Sequence, residues 1–434
     1  MSSSRPTWVR YRALGWLCLM AALAYLCRNG LGVSESTIRH ELALTRQQSG
    51  WMMAAFFWSY ALFQVPGGLV GHVWGTRIAL TLFVVIWSAA TAALGMATQL
   101  WMLLGAQLAM GAAQAGLFPC SVNSVSDWMP TSRRAFSTAS LGAAMQLGAT
   151  AAAVMTGYLI IIIHWRWVFI LYSFPGVLAG IWFYIHFRNL PDENVSINQA
   201  ELNIIREGQG EAAKPPVQRA EPTPWLTIVL RPTMWFLCSQ QVFRTAGYMF
   251  FASWFPTFLQ ESRNVSISDS GFLQGTVFIA SLVGGLTGGA VVDWIWIRTG
   301  SLRWSRQGMG IGCLSLCGLL ILAAYFVNDA GPCVLLMAAG AFFAAMSGPC
   351  AFAATIDMGG KHIPQVFALM NMSGNFSAAA CPILVATFVN ATDNWNLVVV
   401  LFALIYFAAA VCWAFVNPTV KLTEGDSCFI DAER

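Results

Sequence analysis

The sequence is poor in charged residues. Only 10% of its 434 residues are Asp, Glu, Lys or Arg, whereas 57% are hydrophobic. A soluble domain usually carries about 25% charged residues. No soluble fold of this length could bury so much apolar surface, so much of that surface must face lipid. The composition excludes a soluble globular protein and predicts an integral membrane protein.

Motifs for catalysis, nucleotide hydrolysis and metal binding are also missing. The sequence has no Walker A loop, HExxH motif, GxSxG elbow or CxxC pair. Nearly all of the 11 cysteines lie inside apolar runs, where they are typical of small buried hydrophobic side chains. No polybasic tract accompanies the net charge of +4. We therefore expect no enzyme, cofactor or metal site, and no nucleic-acid partner.

Long apolar runs dominate what is present. A membrane-spanning helix needs about twenty such residues, and the spacing predicts an all-α membrane protein with about twelve of these helices. We expect two six-helix bundles, at 1–190 and 232–421, joined by a cytoplasmic linker at 191–231 and followed by a tail at 422–434. A short amphipathic helix is predicted at 200–207 in the linker. The first run has no convincing cleavage site and is interpreted as a retained helix. The predicted spans are 13–33, 50–71, 77–97, 101–124, 135–162, 167–187, 233–259, 270–292, 309–327, 332–355, 364–388 and 396–416.

The distribution of Lys and Arg predicts the orientation. With both termini in the cytoplasm, most of the 23 basic residues fall in cytoplasmic segments. Cytoplasmic loops carry this excess in inner-membrane proteins. Prolines within 64–68, 117–120, 254–257 and 381–384 predict kinked or broken helices.

Two arginines, Arg28 and Arg244, fall inside predicted spans, whereas none of the 19 acidic residues lies deep in one. A charge at the centre of a membrane helix costs about 2.5–3.5 kcal/mol on insertion scales and normally needs a partner. An anionic ligand fits that role, because the guanidinium fork matches carboxylate and phosphate oxygens. The alternatives are snorkelling of Arg28 to the interface and pairing of Arg244 with backbone carbonyls.

Polar side chains near the two arginines extend the candidate site. Tyr25 precedes Arg28 by three residues and Tyr248 follows Arg244 by four, so each pair shares a helix face. Buried amides also serve as interhelical hydrogen-bonding groups, which is the alternative for each of them. Amides inside predicted spans are Gln64, Gln114, Gln146 and Asn371.

Several stretches resemble one family. They are "YLCRNG" at 25–30, "AAFFWSYALFQVPGG" at 54–68, "GAAQAGLFP" at 111–119, "WMPTSRRA" at 128–135, "FFASWFPTFL" at 250–259 and "NMSGN" at 371–375. Together with the six-plus-six layout, they resemble the major facilitator superfamily, and within it the anion:cation symporter family of sialin, vesicular glutamate transporters and bacterial sugar-acid permeases. The likeness runs through nearly the whole chain.

This resemblance implies alternating access between the two bundles, with a small organic anion bound at their interface. Arg28 matches the family's substrate-binding arginine of helix 1, and Arg244 matches a helix 7 arginine of the vesicular glutamate branch. Tyr25, Tyr60, Gln146 and Asn371 match cavity-lining positions. The predicted substrate-binding set is Arg28, Arg244, Tyr25, Tyr60, Gln64, Gln114, Gln146, Tyr248 and Asn371.

Departures from the family concern proton coupling. Proton-coupled relatives have Asp where this chain has Cys27, Glu where it has Gln114, and Arg where it has Gln107. The loop between helices 2 and 3 has lost its usual Asp and keeps Gly75 and Arg77. We expect anion exchange or facilitated movement in place of carboxylate-coupled proton symport. Positions assigned to coupling or gating are Cys27, Gln107, Arg77, Arg134 and Asp293.

The expected function is therefore transport of a carboxylate, sugar acid or phosphate ester by a monomer in the inner membrane. Its further partners are the lipid bilayer and either a co-transported proton or an exchanged anion. Three alternatives stay open: an exchanger similar to the organophosphate:phosphate antiporters, a transporter of neutral solutes with structural arginines, and a non-transporting membrane sensor.

Overall fold

The computed structural model describes residues 5–130, 133–206, 225–359 and 363–422, and these ranges contain helices and no strand. A 3₁₀ turn lies at Pro191–Glu193 and a π-helical turn at Arg303–Gly308. The helices are α1 (Val9–Glu41), α2 (Arg46–Gly95), α3 (Leu100–Ala115), α4 (Leu117–Trp128), α5 (Arg134–Ile162), α6 (Trp165–His186), α7 (Gln199–Arg206), α8 (Trp225–Leu230), α9 (Pro232–Ser253), α10 (Phe255–Arg263), α11 (Ile267–Thr299), α12 (Met309–Tyr325), α13 (Ala330–Met346), α14 (Gly348–Gly359), α15 (Ile363–Thr392) and α16 (Trp395–Ala414).

The predicted all-α membrane fold is confirmed. In the described part of the chain, 10 segments are long and apolar enough to cross a membrane. The two further predicted spans, 50–71 and 233–259, are helical as well, but polar and small residues lower their mean hydropathy. The first of them forms the start of α2, and the second forms α9 and α10.

The helix α2 joins two predicted spans across a kink at Gly75, whose φ is 78°. A positive φ is readily adopted only by glycine. The side chain of Asn189, just after α6, lies where a Cβ on Gly75 would point. It also accepts a hydrogen bond of 2.9 Å from the backbone N–H of Arg77. The turn that the sequence places between two helices is thus a sharp bend, held by Asn189 in the segment that follows α6.

Proline explains three helix breaks that divide predicted spans. Pro119, Pro256 and Pro349 each lie in the first turn of a new helix, shortly after the preceding helix ends at Ala115, Ser253 or Met346. Proline has no N–H, so the carbonyl four residues earlier loses its helical partner. First-turn positions tolerate proline because their N–H groups are unpaired in any case.

Two expectations about local structure need correction. The helix α1 does not end at the polar Ser34–Ser36 segment but continues to Glu41, because Ser34 donates to the Gly30 carbonyl and Arg39 pairs with Glu35 one turn away. The helix α8 before Pro232 was not predicted. The predicted linker helix is present as α7.

The chain divides into two compact units by internal contacts. The first unit comprises 1–216, 250–279 and 379–393, and the second comprises 217–249, 280–378 and 394–434. The boundaries of these units cut through several helices and are defined by contacts within each unit. They do not test the predicted boundaries of the two bundles, which stay a prediction.

In the first unit, α1 packs against α5 and α6, and α2 packs against α3 and α6. The largest buried side chains there include Trp87, Trp128 and Trp165. Closely approaching helices meet at glycine: a Cβ on Gly32 of α1 would lie 2.8 Å from the Ala252 carbonyl oxygen and 3.0 Å from that of Ser253. Small residues of this kind let membrane helices pack backbone against backbone.

In the second unit, α12 packs against α13 and α16. Gly310 lies beneath the ring of Trp413, and Gly318 lies against Phe407. A salt bridge of 3.0 Å joins Arg306, in the π-helical turn, to Asp357 of α14. This pair ties the segment that leads into α12 to the end of α14.

Candidate functional site

Arg28 lies on α1 against a wall of aromatic rings. Its guanidinium carbon is 3.8 Å from the centroid of the Tyr25 ring, 5.2 Å from that of Phe56 and 5.9 Å from that of Phe57. A cation over an aromatic face gains about 0.5–2 kcal/mol, depending on how far it is desolvated. The guanidinium forms no hydrogen bond or ion pair with any residue in the described ranges, so its five N–H donors are free for a ligand.

A cavity of about 30 Å3 adjoins Arg28. On this measure one water needs about 10–15 Å3, so there is room for a carboxylate-sized group. The walls come from four helices of the first unit. The lining residues are Arg28, Asn29, Leu31, Gly32, Met53, Phe56, Phe57, Gln107, Ala252 and Ser253.

Two amides line this cavity, one of which was not predicted. Gln107 of α3, assigned above to coupling or gating, is 2% exposed, and its Oε1 has no hydrogen-bond partner. Asn29, absent from the predicted set, is 5% exposed. Its Nδ2 donates to the Tyr25 carbonyl at 2.9 Å. The signal that could have found Asn29 is its position directly after Arg28 in "YLCRNG".

The other residues of the first unit that were predicted to bind substrate differ in how they relate to Arg28. The Tyr60 ring stacks on Phe56, with 5.8 Å between centroids, which connects it to Arg28 through a shared neighbour. Gln114 donates to the Ala24 carbonyl at 3.0 Å, so its amide is used to join α3 to α1. Gln64 of α2 and Gln146 of α5 are half-buried.

Cys27, assigned above to coupling or gating, lies between two helices. It is fully buried, and its thiol donates to the Tyr172 carbonyl of α6 at 3.7 Å. This contact packs α1 against α6 beside the candidate site.

Arg244 lies on α9 in the second unit. Its Nε and one terminal nitrogen donate to Gln241 Oε1 at 3.3 and 2.9 Å. A Cβ on Gly348, at the break between α13 and α14, would lie 3.5 Å from its other terminal nitrogen. Across the described ranges, no carboxylate lies within ion-pair distance of Arg244. Tyr248 of α9 and Asn371 of α15 are half-buried.

Two of the predicted gating residues, Arg77 and Arg134, bond to backbone carbonyls of neighbouring helices. Arg77 donates from Nε to the Tyr184 carbonyl at 2.7 Å and lies over the Tyr184 ring. Arg134 donates to the Ser126 carbonyl at 2.8 Å, which links α5 to α4. Asp293 of α11 is exposed.

An ionic cluster in the first unit was not predicted. The carboxylate of Glu35, which is fully buried, accepts from Arg39 at 2.8 Å and from Thr257 at 2.9 Å. Arg39 also pairs with Glu261 of α10, and Arg46 at the start of α2 reaches the other oxygen of that carboxylate at 2.9 Å. The cluster joins α1, α2 and α10. The sequence placed these residues at one side of the membrane but could not pair them.

Curated relatives cover nearly the same length as this chain. It is 24% identical to a probable sulfoacetate transporter of Cupriavidus necator over 96% of both chains. It is 27% identical to a probable galactarate/D-glucarate transporter of Bacillus subtilis, over 91% of this chain and 89% of that protein. A D-galactonate transporter of Escherichia coli is 29% identical over 79% of this chain and 80% of its own length.

Solved structures show the same fold. A bacterial homologue of the human lysosomal transporter Spinster, in an inward-facing and unoccupied conformation, superposes with a TM-score of 0.72 at 17% identity, over 95% of each chain. The xylose transporter of Escherichia coli in an inward open conformation gives 0.73 at 12% identity, over 94% of this chain and 96% of that one. Residues 17–325 match the sequence profile described as Major Facilitator Superfamily, and the chain belongs to that superfamily of membrane transporters.

Proposed function

We propose that this protein transports small organic anions, such as carboxylates, sugar acids or phosphate esters, and that Arg28 and Arg244 bind the anion during alternating access. The observation that carries the proposal is that neither guanidinium has a carboxylate partner among the described residues. Arginine in apolar surroundings costs several kcal/mol unless its charge is compensated. A transported anion supplies that compensation.

Other buried arginines of the chain support this reasoning, because they are paired. Arg10 bonds to Glu201 at 3.0 Å, Arg39 to Glu35 at 2.8 Å, and Arg306 to Asp357 at 3.0 Å. In these three pairs, the protein itself supplies the carboxylate that compensates the arginine charge. Among the described residues, Arg28 and Arg244 bond neither to a carboxylate nor to a backbone carbonyl, in contrast to these pairs and to Arg77 and Arg134.

The names of the relatives also favour anions. Sulfoacetate, galactarate, glucarate and galactonate each carry a carboxylate, and sulfoacetate carries a sulfonate as well. A planar guanidinium binds all of these groups through paired N–H donors. The relatives support the class of substrate, and the arginines supply the physical reason for it.

Coupling is proposed to be anion exchange or facilitated movement. Moving one charge across 100 mV is worth about 2.3 kcal/mol, so import of a dianion opposes about 4.6 kcal/mol. A proton carried by the protein would offset this, but Cys27 and Gln114 occupy the family's carboxylate positions, and each bonds to a backbone carbonyl. Exchange of one anion for another avoids the cost, because net charge movement is small. We place the protein in the inner membrane with both termini in the cytoplasm, as the arginine distribution favours.

The decisive experiment substitutes the two arginines in the full-length protein in proteoliposomes. Arg28→Gln and Arg244→Gln should each lower the rate of anion uptake at least tenfold, because each removes a charge-assisted contact worth about 1.5–3 kcal/mol. Arg303→Gln, on an exposed arginine of the π-helical turn, is the matched control and should retain the wild-type rate. If uptake survives both substitutions, the arginines are structural and the anion proposal is wrong.

A further inference from the structure

The amide of Asn29 is held in one orientation. Its Nδ2 donates to the Tyr25 carbonyl one turn earlier in α1, at 2.9 Å. That bond identifies the nitrogen, so the remaining polar atom, Oδ1, is a hydrogen-bond acceptor and cannot exchange places with the donor. Asn29 is 5% exposed and lines the same cavity as Arg28.

The cavity therefore combines a free cation with acceptors. The side-chain hydrogen bond of Asn29 in the described residues uses Nδ2, which leaves Oδ1 available. Oε1 of Gln107 is buried and has no hydrogen-bond partner among the described residues. A buried acceptor without a donor is unfavourable, and a bound group that donates a hydrogen bond relieves it. A simple anion satisfies Arg28 but supplies no donor to either amide.

A 2-hydroxy carboxylate meets both requirements, and its carboxylate end is small enough for a cavity of about 30 Å3. A carboxylate with a hydroxyl on the neighbouring carbon carries an anion and an O–H donor on adjacent carbon atoms. Arg28 and Asn29 line the same cavity, so a ligand bound there can present its carboxylate to Arg28 and its hydroxyl to Asn29. An acetate-like or sulfonate-like end group leaves the acceptors unpaired.

We infer that Asn29 is a specificity-determining residue that selects 2-hydroxy carboxylates, with Oδ1 accepting from the 2-hydroxyl while Arg28 binds the carboxylate; this rests on the proposed function. Gln107 adds a second acceptor in the same cavity. This preference would distinguish between the substrates named for the relatives, since galactonate carries a 2-hydroxyl and sulfoacetate does not.

The test measures binding of two matched pairs to the full-length protein in nanodiscs: gluconate against 2-deoxygluconate, and glycolate against acetate. The wild type should bind the hydroxylated member of at least one pair about tenfold more tightly, the effect of one hydrogen bond made in a buried site. Asn29→Leu, which keeps the approximate volume, should reduce this ratio to near one, mainly by weakening the hydroxy acid. Asn390→Leu, at an exposed position on α15, is the control and should keep the wild-type ratio.

A second variant guards against misfolding. Asn29→Asp keeps the shape but places a carboxylate beside Arg28, so it should weaken both members of a pair. The inference is overturned if the wild type binds deoxy and hydroxy members equally or binds none of the four, or if Asn29→Leu keeps the preference. Arg28→Gln distinguishes failure of this inference from failure of the proposed function. If this variant binds hydroxy acids as tightly as the wild type, the proposed anion site is wrong as well.

Discussion

Arg28 and Arg39 lie three helical turns apart on α1 and have opposite electrostatic surroundings. Arg39 bonds to the carboxylates of Glu35 and Glu261, whereas in the described part of the chain Arg28 contacts aromatic rings and a cavity but no carboxylate. Both residues are arginines, so what distinguishes the structural one from the proposed ligand-binding one is whether the protein provides a carboxylate partner. This distinction becomes visible only when the helices are packed.

Glu35 allows the structural role to be tested. Glu35→Gln keeps the shape and the bond from Thr257 but removes the charge that faces Arg39. We expect a loss of about 1–3 kcal/mol, because a buried charge-assisted bond is weakened. The measurement is the apparent Tm of the detergent-solubilised protein, which should fall.

The matched control for Glu35 is a pair at the surface. Asp192 and Arg206 bond at 2.7 Å, and both side chains are more than half exposed. Asp192→Asn should change stability by about 0–1 kcal/mol, because exposed ion pairs contribute little. Equal effects of the two substitutions would contradict a stabilising role for the buried Glu35.

Sequence reasoning reached part of the site at this scale. Helical spacing predicted that Tyr25 and Arg28 share a face, and they are in contact. For Gln114 it left an interhelical hydrogen bond open as the alternative, and the amide does donate to the Ala24 carbonyl, a partner that the sequence does not identify. Sequence reasoning also did not identify Asn29. The orientation of its amide depends on a hydrogen bond to the Tyr25 carbonyl, which a sequence pattern does not reveal.

At the scale of elements, the close approach of α1 to the end of α9 depends on Gly32. Gly32→Ala would place a Cβ 2.8 Å from the Ala252 carbonyl oxygen, and backbone atoms cannot move aside as a side chain does. We expect the substitution to separate the two helices. A cysteine introduced at Ser253, which is 5% exposed, should then react faster with a water-soluble thiol reagent.

The control for Gly32→Ala lies on the same helix. A Cβ on Gly15 would meet no atom within 4 Å. Gly15→Ala should leave labelling unchanged and raise stability slightly, because alanine is favoured over glycine in helices by up to about 1 kcal/mol. If both variants label alike, crowding at Gly32 is not the cause.

Helix positions were largely predictable, whereas helix continuity was not. Apolar runs located the spans, because the thickness of the bilayer fixes the length of each run. The bend at Gly75 and the continuation of α1 to Glu41 depend on contacts with Asn189 and on the Glu35–Arg39 pair. The first contact joins residues that are distant in sequence. The second joins polar residues whose composition is typical of a loop, so neither could be predicted from the apolar pattern.

At the scale of the whole molecule, exchange and proton symport predict different kinetics. Proteoliposomes loaded with unlabelled gluconate should take up labelled gluconate faster than empty ones, because exchange moves little net charge. A protonophore at zero membrane potential should have no effect on that uptake. Uptake that is abolished by the protonophore and indifferent to internal anion would establish proton symport instead.

Gly32 is one of several glycines at which helices of the first unit meet, and Gly50 and Gly157 are two others. Gly50 of α2 faces the Pro382 carbonyl of α15, and Gly157 of α5 faces Gly271 of α11. Any single-base change in a glycine codon that alters the amino acid introduces a side chain with a Cβ. These three codons therefore have no conservative neighbour in the genetic code, and populations of this gene should show them depleted of missense variation relative to Gly15 on the same helix.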